Sequence, residues 1–264
     1  MILTARGKTD QGLVRANNED NFYLDEKLGL LVVADGMGGH ASGETASQLA
    51  VNIIRDYFQG TQKLIGDYDQ SCSENSNKLR SAILLANQAV FEAAQSSPQL
   101  AGMGTTIAAA LLAGNKLSIA HIGDSRVYLV RAGNIEQLTD DHSIVNEQVK
   151  HDLITKEEAI KSDMKNILTK ALGVSPDTQP DLNELTMFDG DILLLCSDGL
   201  NIMVSDEAIL EIISFAGNPD AACDSLINAA LENGGKDNVT VVMGYIKKKK
   251  WYRALFKFME SFRR

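Results

Sequence analysis

The sequence predicts an α+β fold in which antiparallel sheets are covered by helices arranged in pairs. Three observations carry that expectation. Between residues 105 and 138, short β-prone runs follow one another through hairpin-like turns, which is how antiparallel strands are joined. Segments with one apolar side at helical spacing come two at a time, before and after those runs. Strands joined by hairpins, rather than alternating singly with helices, argue against a parallel doubly wound sheet.

The first helix is expected over residues 43–58, where Ala46, Leu49, Ala50, Ile53, Ile54, Tyr57 and Phe58 share one side. Ser42 is its expected N-cap, and Glu44 suits the positive end of the helix dipole. A second helix is expected over 77–95, with Leu79, Ala82, Ile83, Ala86, Val90 and Ala93 on one face. A β-meander follows over 105–112, 116–122, 126–130 and 135–138, with turns at Ala113-Gly114-Asn115 and Arg131-Ala132-Gly133-Asn134. Residues 143–170 are polar and helical in character without a strong apolar stripe, and suit a surface subdomain. Strands are then expected at 181–186 and 191–197, helices at 206–215 and 221–231, and a last strand at 238–246 after Gly234-Gly235.

With 44% apolar and 23% charged residues in 264, the composition is that of an ordinary soluble globule. No repeat, low-complexity segment or Pro/Gly/Ser-rich linker divides the chain, so one domain over 1–246 and a tail over 247–264 are expected. Cys72, Cys196 and Cys223 lack metal-ligand spacing and cannot all pair, which suggests reduced thiols in a cytoplasmic protein. No secretory leader and no apolar run of about 20 residues is present. The tail carries five Lys, three Arg and one Glu, a net +7, which leaves −17 on residues 1–246. So acidic a body argues against nucleic acid as a partner.

Chemistry is carried by carboxylates set beside glycine or asparagine: Asn18-Glu19-Asp20, Asp35-Gly36-Met37-Gly38-Gly39, Gly123-Asp124-Ser125-Arg126, Ser197-Asp198-Gly199 and Gly235-Lys236-Asp237-Asn238. Carboxylate oxygens are the ligands that hard divalent cations prefer, and an adjacent glycine lets a backbone carbonyl approach as well. Taken singly, each is equally a turn signal. Together, most at the end of an apolar run, they point to one acidic pocket assembled by a sheet. Other phosphate chemistries fail on particular residues. No cysteine has an arginine six positions on, Leu193 stands where an Asp-x-Asp-x-Thr motif starting at Asp189 needs Thr, and Glu44 replaces the lysine of a P-loop starting at Gly38. Gly123-Asp124-Ser125 lacks the second glycine of a nucleophile elbow.

These motifs, with Val14-Arg15-Ala16-Asn17 before them and Gly102-Met103-Gly104-Thr105-Thr106, His121-Ile122, Leu138-Thr139-Asp140-Asp141-His142-Ser143, Leu172-Gly173 and Leu195-Cys196 between them, resemble the bacterial branch of the metal-dependent Ser/Thr protein phosphatases, protein phosphatase type 2C. The likeness covers about residues 5–245. It implies a four-layer αββα sandwich with a two-metal site at one end of the sheets. Asp35 would bridge two Mn²⁺ or Mg²⁺ ions, the Gly36 carbonyl would bind the first, and Asp198 and Asp237 the second. Glu19 and Asp20 would act through waters or behind the ligands. Asp124 with Asp198 would hold a third, weaker ion, and Arg15 would clamp the substrate phosphate. Residues 143–180 match the family's flap. Met37 stands where animal members carry a histidine, which leaves His40 or water as the leaving group's proton donor.

The implied activity is hydrolysis of phosphoserine and phosphothreonine on proteins by metal-activated water, opposing a Ser/Thr kinase, in a monomer. A phosphoprotein-binding dead relative and a phosphatase of a partner-switch stress pathway are the alternatives. The tail places Trp251, Tyr252, Leu255, Phe256, Met259 and Phe262 on one helical face, which suggests peripheral contact with the inner membrane face, a protein partner, or a helix folded back on the acidic body.

Overall fold

The computed structural model describes residues 1–38, 41–60 and 63–249. His40 and nearly all of the tail, including its aromatic residues, lie outside these.

Three strands open the chain: β1 (Ile2–Asp10), β2 (Asp20–Asp25) and β3 (Leu30–Met37). Helices α1 (Ala41–Gln59) and α2 (Glu74–Ser96) follow. Helix α1 starts ahead of Ser42, which therefore lies in its first turn and is not its N-cap, a correction to the sequence reading. Helix α2 also starts earlier than its apolar stripe, because the Ser73 hydroxyl accepts the Ser76 N–H and caps it. Then come β4 (Gly104–Thr105), β5 (Ile107–Ala113), β6 (Lys116–Ile122), β7 (Arg126–Arg131) and β8 (Asn134–Gln137). The expected strands and hairpins form, β5 with β6 and β7 with β8, but the continuous meander does not, because the chain crosses to the other sheet between β6 and β7. Short helices α3 (Ile144–Lys150) and α4 (Lys156–Lys161) sit in the polar segment. The chain continues through β9 (Asp181–Thr186), β10 (Ile192–Cys196), α5 (Asp198–Asn201), α6 (Asp206–Phe215), α7 (Pro219–Glu232) and β11 (Val239–Lys247).

All strand pairings are antiparallel. One sheet runs β1-β11-β10-β7-β8 and the other β2-β3-β5-β6-β9, with β4 paired to β3. The side chains divide into three apolar layers. Leu30, Val32 and Ala34 of β3 pack with α1 and α2, while Leu31 and Val33 of the same strand face the other sheet. On β10, Leu193 and Leu195 join the inter-sheet layer, while Leu194 and Cys196 pack with α6 and α7. This is the αββα sandwich. Both faces of the central strands are covered, so β3 reads as an unbroken apolar run rather than as alternation. That is why β3 has no period-2 signature in the sequence.

Candidate active site

The carboxylates of the sequence motifs meet at one end of the two sheets. Asp20 opens β2 directly opposite Asp35 on β3. Asp124 lies in the turn between β6 and β7, Asp198 is the first residue of α5, and Asp237 lies just before β11. Asp35, Gly36, Asp124, Asp198, Asp237, Glu19 and Arg15 line an open cleft of about 500 Å³. Its other side is formed by Met37, Val174 and residues 166–171 of the polar segment.

Backbone and hydroxyl bonds hold these side chains in place. The Asp35 N–H donates to Thr106 Oγ1 at 2.9 Å, and its carbonyl accepts from Thr105 Oγ1 and from the Thr106 N–H, both at 2.8 Å. Ser197 Oγ donates to Asp20 Oδ2 at 2.7 Å and accepts the Thr240 N–H at 2.9 Å, joining both sheets behind the cleft. The Asn238 side chain accepts the Glu19 N–H and donates to the Gln11 and Asn17 carbonyls, each at 2.8 Å. A Cβ at Gly36 would run into the carbonyl of Gly43, so only glycine brings this strand end against α1. Arg15 Nη2 pairs with Asp237 Oδ2 at 2.6 Å, and half of the arginine side chain is exposed.

Burial makes this cluster costly by itself. Loss of water pushes the Asp20 carboxyl up to about 7 and Asp124 up to about 8. Asp198 is pushed up to about 6 by burial and then by Asp237, and Asp35 is raised well above its ordinary value by burial and then by Asp20. Asp20 Oδ1 and Asp198 Oδ1 are buried without a hydrogen-bond partner. Buried like charges with orphaned oxygens are tolerated where cations neutralise them. The donor set is all oxygen, as Mg²⁺ and Mn²⁺ prefer, so the residues fit such ions. Among the described residues, the group of three His, Cys, Asp or Glu side chains whose ligand atoms all lie within 4.8 Å of one another is a different one, His121, His142 and Asp181.

Every described site residue singled out in the sequence lies at or behind this cleft, and His40 lies outside the described residues. Asp20 lies behind it, bonded to Ser197. The wall made by 166–171 falls within the 143–180 segment matched to the family's flap, whereas the sequence reading missed the buried Ser197 and Asn238 that organise the carboxylates. Their adjacency to Asp198 and Asp237 was the available signal. Cys196 is fully buried and His121 is a buried, hydrogen-bonded strand residue.

The family model described as Protein phosphatase 2C matches residues 14–232. The chain belongs to the protein phosphatase 2C family. It is 42% identical over 243 residues to the serine/threonine protein phosphatase PstP of Mycobacterium tuberculosis, covering 92% of this chain and 45% of that protein. The chain thus spans about half the length of that relative. It is 38% identical over 242 residues to the serine/threonine phosphatase stp of Listeria innocua, covering 90% of this chain and 94% of that one. The crystal structure of the PstP catalytic domain in complex with two manganese ions superposes with a TM-score of 0.82 at 40% identity, covering 94% of this chain and 99% of that one. The family is metal-dependent, and no helix among the described residues is long and apolar enough to cross a membrane.

Proposed function

We propose that this chain is an active metal-dependent phosphatase that hydrolyses phosphoserine and phosphothreonine on proteins. The observation that carries this reading is the cluster of buried and half-buried carboxylates, two of them with a buried, orphaned oxygen, at an open cleft edged by an arginine. The dead-relative alternative requires loss of a metal aspartate, and Asp35, Asp198 and Asp237 are all present.

In this reading Asp35, the Gly36 carbonyl, Asp198 and Asp237 would hold two divalent ions, and Asp124 with Asp198 would hold a third, looser one, while Glu19 and Asp20 would act from behind. Bound divalent ions supply Lewis acidity toward phosphate oxygens and lower the pKa of water toward neutrality. The chain's own residues do the rest. Arg15 projects its planar fork from the rim, where two donors can take two phosphate oxygens. Thr105 and Thr106 fix the backbone of Asp35, so its carboxylate does not swing as charge builds. His40, which lies outside the described residues, or water would supply the leaving oxygen's proton. Phosphoproteins are the substrates, a Ser/Thr kinase the opposing activity, and 1–246 the catalytic domain. The basic 247–264 tail makes peripheral membrane contact in this reading, which requires salt-sensitive sedimentation with anionic vesicles that is lost on truncation.

Hydrolysis of a phosphothreonine peptide tests the assignment. EDTA abolishes it, Mn²⁺ restores it, and Asp237→Asn removes most of it while the protein stays folded. Full activity of the stripped enzyme, or of the Asn variant, rules the assignment out.

A further inference from the structure

Outside the cleft, His121, His142 and Asp181 bring ligand-type atoms within 4.8 Å of one another. Their geometry is that of a hydrogen-bonded chain, not of an ion shell. The two imidazole rings stack 4.7 Å apart and only 9° from parallel, so a point in the plane of one ring lies off the plane of the other. His121 Nε2 is already 2.9 Å from the Asp140 carbonyl, and Asp181 Oδ1 is held by Lys170 at 2.5 Å.

His142 is bonded on every side. Its Nδ1 accepts the Gly123 N–H at 3.0 Å, which leaves the ring proton on Nε2, facing Asp181 Oδ2 at 3.3 Å. Its own N–H donates to the Gly123 carbonyl at 3.0 Å, and its carbonyl accepts the Thr169 N–H at 2.8 Å. The preceding Asp141 is clamped by Arg126, with Nη2 at 2.6 Å. Gly123 is thus gripped through both its N–H and its carbonyl. It sits at φ +98°, with Thr106 Cγ2 2.7 Å from where a Cβ would be, so its turn has little freedom to relax. The next residue is Asp124. On the opposite side, Thr169 and Lys170 both line the cleft wall.

We propose that His142 is a positioning residue that fixes the Asp124 turn and the Thr169-Lys170 wall in one relation, so that the looser ion's ligand and the outer face of the cleft are set together. This rests on the assignment of Asp124 to that ion. Groups that orient a ligand from behind commonly govern affinity as strongly as the ligands do.

Two substitutions separate the ring's bonds. His142→Asn keeps an amide oxygen where Nδ1 stands and so keeps an acceptor for Gly123. His142→Gln carries its amide further out and loses that acceptor. Calorimetric Mn²⁺ titration and amide hydrogen exchange at Gly123 are read for both, with Asp124→Ala as control. The Gln variant is expected to weaken the weakest Mn²⁺ step roughly tenfold to a hundredfold and to speed Gly123 exchange, with the tighter steps unchanged. The Asn variant restores both toward wild type. A Gln variant with wild-type titration and a protected Gly123 amide overturns the proposal. An Asn variant as impaired as Gln does so too, since the ring would then matter only as bulk. If Asp124→Ala leaves the titration unchanged, the assignment of Asp124 to an ion fails, and Gly123 exchange alone decides on the clamp. If the Gln variant does not fold, Asp181→Ala decides. Without its outer partner the ring should release Gly123 and exchange should quicken, whereas an unchanged rate overturns the proposal.

Discussion

Strand β3 holds two regions of opposite character a single residue apart. From Leu30 to Ala34 it is essentially fully buried and wholly apolar, supporting helices on one face and the second sheet on the other. At Asp35 the same buried strand carries a carboxyl group beside those of Asp20, Asp124 and Asp198. The first region stabilises the fold. The second, without cations, works against it, through desolvation and mutual repulsion. The sandwich thus provides rigidity at its middle and concentrates a cost at one end, a cost that bound cations would relieve.

Breaking the apolar side has the largest effect on stability. Leu194 is fully buried between β10 and the α6/α7 layer, so Leu194→Ala should cost about 2–5 kcal/mol in denaturant unfolding, with Mn²⁺ affinity unchanged. A loss below about 1 kcal/mol would mean that this layer is loosely packed. At the cleft rim, Arg15→Ala should lower kcat/KM on a phosphopeptide by about 1.5–3 kcal/mol, the scale of a charged hydrogen bond, while calorimetry still shows the Mn²⁺ sites. Unchanged kcat/KM would make Arg15 only a partner of Asp237.

A smaller effect separates the two regions by pH. Asp20, Asp124 and Asp198 have folded pKa values near 7, 8 and 6, above the 3.8 of the free side chain. The folded, ion-free protein therefore binds more protons than the unfolded chain between about pH 4 and 8. The stability this brings is complete below 3.8 and is lost as pH rises through the folded values. His142 acts in the opposite sense, since burial and the neighbouring His121 depress it, so its contribution declines as pH falls through 6.5. With more carboxylates than depressed histidines, stability in EDTA should increase from pH 8 to pH 6 by on the order of 1 kcal/mol per titrating group, and the melting temperature should rise with it. Saturating Mn²⁺ should flatten or reverse the trend. A melting temperature in EDTA that falls steadily over that range would contradict the account.

The two regions also differed in how far the sequence disclosed them. Helices α1 and α2 announce themselves because one covered face leaves a 3.6-residue stripe, seen at Leu79, Ile83, Ala86 and Val90. Strand β3 does not, because both of its faces are covered and no alternation survives. Asp35, Asp198 and Asp237 were legible because each stands beside glycine or asparagine at the end of an apolar run. The His142 clamp was not, and the wall at 166–171 was legible only through the resemblance to the family's flap. Their roles depend on a polar segment without periodicity folding back across the end of the sheets. Ser42 was misread as a cap because a hydroxyl beside an apolar stripe looks the same just outside a helix as within its first turn.

Thermal unfolding of wild type and Asp198→Asn, each in EDTA and in saturating Mn²⁺, tests the central claim most directly. Asp198 is buried with an oxygen left unpaired, so replacing its charge should raise the melting temperature in EDTA. The same replacement should shrink the rise that Mn²⁺ produces, so that wild type overtakes the variant once the ion is bound. If wild type is the more stable in EDTA and Mn²⁺ raises both proteins equally, the carboxylates are not held in place for cations.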